Sequence, residues 1–292
     1  MDSRSQDKFQ IWKLASGYRE PERISLPLPL PSSLDEISRW IPAGAYTTFR
    51  TYQQVYAFHL PDHLTRLEDS ARLAGKSVQL DRIAIREAID SAILGFHSEN
   101  TRIRINLDLC QSLGDIYLIL EPLVVPSPEQ YQQGVRVVTI QYVRENPKAK
   151  LTGFIAKSMG YRHDLPGWAS EGIMLSPDGS FLEGLSSNFF AAVDGVILTA
   201  EQNVLSGITR QLVLEEAQKD GIPVVLKPAH YTDLSRMSEA FITSSSRAVL
   251  PVVQIDETQV GVGKPGQIAR SLLEKYTLRV NQEIEPIFTR RG

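Results

Sequence analysis

The order of strand and helix patterns along the chain is the feature that most restricts its fold. Residues 44–60 are rich in aromatic and β-branched side chains and predict a β-hairpin with a turn at "TYQQ". Helical patterns follow over 61–76 and 82–97, and strand-like stretches lie within 102–124. Strands and helices are therefore mixed without strict βα alternation, which argues against a doubly wound parallel sheet. We predict an α+β fold with two lobes.

A proline-rich segment divides the chain into two parts. Pro122, Pro126 and Pro128 lie close together, and proline lacks the backbone N–H that helices and central strands need. Beyond them the mixture continues, with hairpin turns predicted at Asp178–Gly179 and Asp194–Gly195. We predict an irregular N-terminal extension (1–40), a smaller α+β domain (41–125), an interdomain linker (126–134) and a larger α+β domain (135–292).

The composition argues against several kinds of partner. The net charge of −3 and the lack of any Lys- or Arg-rich run argue against a surface for nucleic acid. Cys110 is the only cysteine and the five histidines are scattered, so we predict neither a disulfide nor a metal site. The first residues are polar, and no apolar run approaches the roughly 18 residues of a membrane span. We therefore expect a cytoplasmic protein without membrane contact.

One acidic residue lies where a strand is otherwise apolar. Glu183 is part of "FLEGLSSNFF", and a buried carboxylate without a partner is costly, so it must face water or a positive group. Two segments further along are suited to bind an anion. "SGITR" places Ile208 and Thr209 at the start of a helix, where backbone N–H groups point outward, and "ITSSSR" offers consecutive hydroxyls in a loop.

Several segments, in this order, resemble one enzyme family. They are "HLTRL…SA", "KLTGF", "EGLSSNFF", "GITR" and "EAFITSSSRAVLPV". The chain from about Gly44 to about Leu273 resembles the class IV, or fold type IV, pyridoxal-phosphate (PLP) enzymes. That family includes branched-chain aminotransferases, D-amino-acid aminotransferases and aminodeoxychorismate lyases. The resemblance implies PLP as cofactor, a two-lobed fold like that of D-amino-acid aminotransferase with the active site between the lobes, and a homodimer.

The resemblance also implies the catalytic residues. Lys150 would hold the cofactor as a Schiff base and move a proton, which suits a lysine amine. Lys148 is the alternative, and the "K-x-T-x-F" context favours Lys150. Glu183 would meet the pyridine nitrogen and keep it protonated, so that the ring can accept an electron pair.

The remaining site residues follow from the same resemblance. The residues implied for the cofactor phosphate and its surroundings are Arg66, Ser187, Asn188, Ile208, Thr209 and Ser245. Those implied for the substrate side are Tyr46, Arg104 and Ser246. Arg102 points the same way as Arg104 on an alternating strand, so the two arginines are equally suited to form a solvated face.

Two positions depart from the family pattern and leave the substrate open. Thr47 stands where many members carry an acid, and Phe154 stands where branched-chain members place a tyrosine. We predict an aminotransferase that moves an amino group between an amino acid and a 2-oxo acid, of the branched-chain or D-amino-acid type. The alternatives are a lyase that releases pyruvate and a non-catalytic PLP-binding protein.

Overall fold

The computed structural model of the chain describes residues 8–26, 31–96 and 98–288. The predicted helix end at His97 and parts of the predicted extension lie outside these residues. The chain forms two compact units. The first unit comprises Met1–Val124, Ala149–Lys157 and Glu283–Gly292, and the second comprises Val125–Lys148 and Ser158–Gln282. The segment that carries Lys150 therefore groups with the first unit.

The first unit is built on one antiparallel sheet. Its strands are β1 (Gln10–Leu14), β2 (Glu22–Ile24), β3 (Gly44–Tyr52), β4 (Tyr56–Ala57), β5 (Thr101–Asp108), β6 (Ile116–Pro122) and β16 (Glu285–Pro286), in the order β16-β4-β3-β5-β6-β1-β2. Its helices are α1 (Leu34–Ile37), α2 (Leu60–Leu73) and α3 (Arg82–Leu94). The predicted hairpin is confirmed as β3 and β4, and its turn contains Gln53 and Gln54 in the left-handed region.

Side-chain alternation on β3 gives the sheet of the first unit two different faces. Ala45 and Phe49 are buried in a core with the apolar faces of α2 and α3, and Thr47 points the same way. Tyr46 and Thr48 point to the opposite face. A smaller apolar cluster, which includes Ile11 and Leu34, is formed by β1, β6 and α1.

The prediction of an irregular N-terminal extension is wrong in part, because β1 lies within it and pairs with β6 over its whole length. The strand pattern of β1 is too short to be recognised without β6, which supplies the hydrogen-bond partners of β1.

The second unit contains the other strands. They are β7 (Val135–Gln141), β8 (Gly172–Leu175), β9 (Phe181–Gly184), β10 (Asn188–Val193), β11 (Val196–Leu198), β12 (Val224–Val225), β13 (Met237–Ser244), β14 (Ala248–Ile255) and β15 (Thr258–Gln259). The helices are α4 (Pro128–Gln133), α6 (Ile208–Lys219), α7 (Gln267–Glu283) and a short 3-10 helix at Tyr231–Arg236, while α5 (Gly153–His163) begins in the segment that returns to the first unit. The segment predicted as a linker thus includes α4.

Six of these strands close into a ring. The pairing runs β10-β13-β14-β7-β8-β9, and β9 then pairs again with β10 through Glu183 and Asn188. The interior is apolar, with Val137, Ile173 and Phe189 among its buried side chains. Parallel and antiparallel pairs occur together, since β7 is parallel to both β8 and β14. The predicted α+β class is confirmed.

The glycine-containing turns of the second unit lie where the sequence predicts them. Gly179 has φ 88°, while Asp194 and Gly195 have φ 51° and 80°, the left-handed conformation that two-residue hairpin turns need. Across the described ranges, the helices lack the combination of length and apolar character that crossing a bilayer requires.

Candidate active site

In the first unit, the backbone of Lys150 is held from two sides. Its N–H donates to Ser70 Oγ of α2 at 3.0 Å, and its carbonyl accepts from the N–H of Tyr46 on β3 at 2.8 Å. Ser70 in turn donates to the Arg66 carbonyl at 2.7 Å. The amine of Lys150 lies 4.7 Å from the centre of the Tyr46 ring. Lys150, Tyr46 and Arg66 are therefore gathered around the contact of α2 with β3.

The alternative lysine has different surroundings. Lys148 belongs to the second unit, is exposed, and donates to the carbonyl of Glu201 at 2.5 Å.

Next to Lys150, Arg66 is part of a buried polar cluster. Its Nη2 donates to Thr47 Oγ1 at 2.8 Å and lies 3.4 Å from His63 Nδ1, and Thr47 Oγ1 lies 2.8 Å from the same ring nitrogen. His63 and Thr47 are both buried. Burial lowers the pKa of His63 well below its usual 6.5, and the nearby positive charges of Arg66 and Lys150 act in the same direction. His63 is therefore neutral at pH 7.

The lowered pKa of His63 predicts a loss of stability in mild acid. Below pH 6.5 the unfolded chain takes up a proton that the folded chain does not, so stability present above pH 6.5 is lost as the pH falls. Between pH 7.5 and 5.5 the loss from this group is on the order of 1 kcal/mol. Asparagine places an amide oxygen near the position of Nδ1 without titrating. Denaturant unfolding at both pH values should show that His63→Asn loses about that much less than the wild type, and equal losses would contradict the prediction.

The arginine predicted for the substrate side is already bound within the first unit. Arg104 donates from Nη1 to the Leu34 carbonyl at 3.0 Å and to Ser38 Oγ at 2.8 Å, and from Nη2 to Asp35 Oδ1 at 2.5 Å. Its guanidinium also lies 5.2 Å from the centre of the Tyr46 ring. Arg104 therefore fixes α1 and contacts Tyr46. Its neighbour on the same face, Arg102, pairs with Glu121 at 2.8 Å.

In the second unit, Glu183 is a buried carboxylate surrounded by donors. It is 3% exposed. Arg144 Nη1 donates to Oε1 at 2.9 Å, while Asn188 Nδ2 and the Leu205 N–H donate to Oε2 at 3.2 and 3.1 Å. A carboxylate at this depth stays charged only where positive groups and donors replace water, and these contacts supply both. Glu183 thus presents a fixed negative charge where β9 pairs with β10 and closes the ring.

The start of α6 has the features of an anion site. Among the described residues no side chain caps this helix, and its first turn contains no acidic residue. A Cβ on Gly207, the residue before the helix, would come within 2.1 Å of Asn188 Oδ1, so only glycine lets the helix end approach Asn188 this closely. The backbone N–H groups of Ile208 and Thr209 begin the helix and carry its positive dipole end. These features fit a phosphate group.

Ser187 is held by a second buried carboxylate, that of Glu171. Glu171 Oε2 accepts from Ser187 Oγ at 3.2 Å, from Ser186 Oγ at 2.7 Å and from Arg247 Nη2 at 2.8 Å. Burial on its own raises the pKa of Glu171, but the guanidinium charges of Arg247 and Arg162 outweigh it and lower the pKa below its usual range. The ion pair joins the residue before β8 to the loop after β13, and the two serines attach the loop before β10 to the same carboxylate.

The loop after β13 carries the other two predicted serines. Ser245 and Ser246 are half-buried there, next to Ser244, whose Oγ accepts from Arg247 Nε at 3.1 Å. The predicted residues thus form two groups. Lys150, Arg66, Tyr46 and Arg104 lie in the first unit, and Glu183, Ser187, Asn188, Ile208, Thr209, Ser245 and Ser246 lie in the second.

Three residues that contact this set were missed by the sequence analysis. Ser70 fixes the Lys150 backbone, Arg144 pairs with Glu183, and Glu171 holds Ser187. Ser70 stands in the quoted motif "HLTRL…SA" and was available as a signal. Arg144 and Glu171 gave none, because each is far in sequence from its partner. Within the described part of the chain, no group of His, Cys, Asp and Glu side chains is placed to hold a metal ion.

Comparison with known proteins places the chain in a family. The family model for "Amino-transferase class IV" matches residues 44–255. A branched-chain-amino-acid aminotransferase of Pseudomonas aeruginosa is 28% identical over 253 residues, covering 80% of this chain and 82% of the relative. A D-alanine aminotransferase of Bacillus licheniformis is 27% identical over 242 residues, covering 78% and 84%.

Solved structures give the same result for the fold. A putative branched-chain amino acid aminotransferase of Thermotoga maritima has a TM-score of 0.74 at 26% identity, over 94% of this chain and 98% of that one. A T.th. branched-chain amino acid aminotransferase, solved with pyridoxamine 5'-phosphate, has a TM-score of 0.76 at 21% identity, over 96% and 98%. The expected fold type IV is therefore confirmed. Since the family model covers most of the chain, the chain belongs to the class IV aminotransferases and is an enzyme that depends on pyridoxal phosphate.

Proposed function

We propose that this aminotransferase takes its amino group from a branched-chain amino acid and passes it to a 2-oxo acid. The proposal rests on the similarity of the chain to branched-chain-amino-acid aminotransferases. Besides the Pseudomonas enzyme, a putative branched-chain enzyme of Methanocaldococcus jannaschii is 29% identical over 252 residues and covers 80% of this chain. Phe154 stands where branched-chain members place a tyrosine, and this departure counts against a strictly branched-chain enzyme.

Lys150 is proposed to hold the cofactor and to carry the proton at the α carbon of the substrate. When bound, PLP supplies an electron sink for the bonds at that carbon. The backbone of Lys150 is fixed to α2 and β3 by hydrogen bonds of 3.0 and 2.8 Å, so the base of the side chain is held in place. A lysine amine can act both as the attachment point and as the group that moves a proton.

Glu183 is proposed to hold a proton on the ring nitrogen of the cofactor. Its charge is maintained by Arg144, Asn188 and the Leu205 N–H in a buried position. An anion that cannot move away from its donors is preorganised, and a fixed charge stabilises a cationic ring better than mobile water does. The rigid pairing with Asn188 across β9 and β10 holds the carboxylate in place.

The phosphate is proposed to bind at the start of α6, with support from the other loops. The donors would be the backbone N–H groups of Ile208 and Thr209 together with side chains. Those side chains are Arg66 and Ser245. Ser187 and Asn188 are proposed to line the same place, because the hydroxyl proton of Ser187 goes to Glu171 and the amide protons of Asn188 go to Glu183 and the Leu205 carbonyl. On the substrate side we propose Tyr46 and Ser246. Arg104 is proposed to act through its contact with the Tyr46 ring, because its guanidinium hydrogen-bonds to α1 and the residue that follows it.

A second candidate is a D-amino-acid aminotransferase. It is favoured by the D-alanine aminotransferase of Bacillus licheniformis, which matches nearly as much of the chain as the branched-chain relatives do. The two candidates share the cofactor and the proposed residues. They differ in the configuration and size of the amino donor.

A half-reaction separates these candidates. The cofactor-loaded enzyme is mixed with one amino acid and no acceptor, and the 2-oxo acid released per active site is measured for L-leucine, L-isoleucine, L-valine and D-alanine. We expect about one equivalent from each L-branched-chain substrate, because transfer of the amino group stops after one half of the reaction. Release from D-alanine alone would favour the second candidate. Continued release of pyruvate from aminodeoxychorismate without an acceptor would identify a lyase.

We also propose that the enzyme is a homodimer in the cytoplasm, without nucleic-acid or membrane partners. The family resemblance supports the dimer. Light scattering of the purified protein measures the assembly directly.

A further inference from the structure

Thr47 departs from the family pattern, and its contacts give it a role. It lies on β3, is fully buried, and its hydroxyl stands between Arg66 and His63. A buried hydroxyl with two charged or polar neighbours must divide its one proton and its lone pairs between them. The direction of each hydrogen bond can therefore be worked out.

The direction follows from what the two neighbours can do. Arg66 can only donate, so Thr47 Oγ1 accepts from its Nη2 at 2.8 Å. His63 is neutral, and Arg66 Nη2 also lies 3.4 Å from Nδ1, so Nδ1 is the accepting nitrogen and the ring proton is on Nε2. Thr47 then donates its own proton to Nδ1 at 2.8 Å. The hydrogen bonds run in one direction, from Arg66 through Thr47 to His63.

A directed chain of this kind restrains the guanidinium. Arginine has many rotamers, and a planar group that is already oriented loses less freedom when it binds an anion. The cluster is tied to the backbone of Lys150 as well, because Ser70 bonds to both Arg66 and Lys150. Hydrogen bonds within a buried chain also strengthen one another.

We propose that Thr47, backed by His63, is a positioning residue that orients Arg66 for the cofactor phosphate. The inference rests on the proposed role of Arg66 in phosphate binding. Valine has nearly the shape of threonine but no hydroxyl, so Thr47→Val breaks the chain without opening a cavity. Thr47→Ser keeps the hydroxyl. Thr48→Val is the matched control, because Thr48 is the next residue on β3 and points to the opposite face.

The test compares two ligands that differ only in the phosphate. The full-length chain, stripped of cofactor, is titrated with PLP and with pyridoxal. The ratio measured is the dissociation constant of pyridoxal divided by that of PLP, so weaker PLP binding lowers it. We expect Thr47→Val to weaken PLP binding by about five- to tenfold, the usual effect of one lost hydrogen bond. Pyridoxal binding should change by less than about twofold on the same reasoning. Thr47→Ser and Thr48→Val should keep the wild-type ratio.

Each other outcome contradicts the inference in a different way. Equal weakening of both ligands by Thr47→Val means that Thr47 only supports the fold. No weakening of either means that Arg66 is oriented without it. The variant Arg66→Met distinguishes a failure of the inference about Thr47 from a failure of the proposed role of Arg66. If Arg66→Met lowers the ratio and Thr47→Val does not, the inference alone is wrong. If Arg66→Met leaves the ratio unchanged, Arg66 does not bind the phosphate, and both the proposed role of Arg66 and the inference are wrong.

Discussion

Replacement of Lys150 by alanine is expected to reduce turnover by about 10⁴-fold or more, the upper end of what a positioned proton-transfer group contributes. The side chain removed is the one proposed both to hold the cofactor and to move the proton. The backbone contacts to Ser70 and Tyr46 do not involve that side chain, so the fold should persist. Turnover in the half-reaction and the visible absorption of the bound cofactor measure the two effects.

Lys148→Ala is the matched control for this experiment. Lys148 is two residues away in the sequence, exposed, and bonded to the carbonyl of Glu201. We expect its loss to leave turnover within about twofold of the wild type, as for most surface substitutions. If Lys148→Ala abolishes turnover and Lys150→Ala does not, the assignment of the lysine is wrong.

The second large effect is expected at Glu183. Glutamine has one acceptor oxygen where the carboxylate has two, so Glu183→Gln can satisfy either Arg144 or the pair formed by Asn188 and the Leu205 N–H. A stranded buried donor costs about 1–3 kcal/mol of stability. A neutral amide also cannot hold the proton on the ring nitrogen. We expect turnover to fall by about 10²–10³-fold, the scale seen when one preorganised electrostatic group is removed.

Glu171→Gln separates the catalytic effect from the structural one. Glu171 is 2% exposed, compared with 3% for Glu183, and it too pairs with an arginine and accepts on both oxygens. It should therefore lose a similar amount of stability in a denaturant titration. Turnover, measured well below the unfolding transition, should fall by less than about tenfold, because Ser187 is the one proposed site residue among the donors to Glu171 given above. Equal losses of turnover in the two variants would show that Glu183 acts only through the fold.

Local signals in the sequence predicted much of the fold. The turns at Asp178–Gly179 and Asp194–Gly195 were predicted because a left-handed backbone favours glycine and aspartate strongly. Helix α4 was missed within the predicted linker, although Ser127 and Gln130 form a capping box that "SPEQ" displays. Closure of the ring could not be predicted, since the pairing of β9 with β10 depends on where four other strands lie between them.

The candidate site was predicted through its motifs and not through its contacts. Lys150 and Glu183 stand in recognisable segments, whereas Arg144 is an ordinary surface-type residue until β9 brings Glu183 to it. Arg104 shows the opposite case. A strand arginine was expected on the substrate side, and only the structure shows Asp35, Ser38 and the Leu34 carbonyl engaging it. Partners from distant parts of the chain are what a single sequence does not reveal.

The pairing of Glu183 with Asn188 completes the ring of the second unit and also places the acid proposed to act on the cofactor. One residue therefore serves two selective pressures. A descendant that no longer needed the reaction would still lose stability without Glu183, because buried donors would lack an acceptor where β9 and β10 close the ring. A distant homologue that keeps this glutamate is for that reason not shown to be an active enzyme.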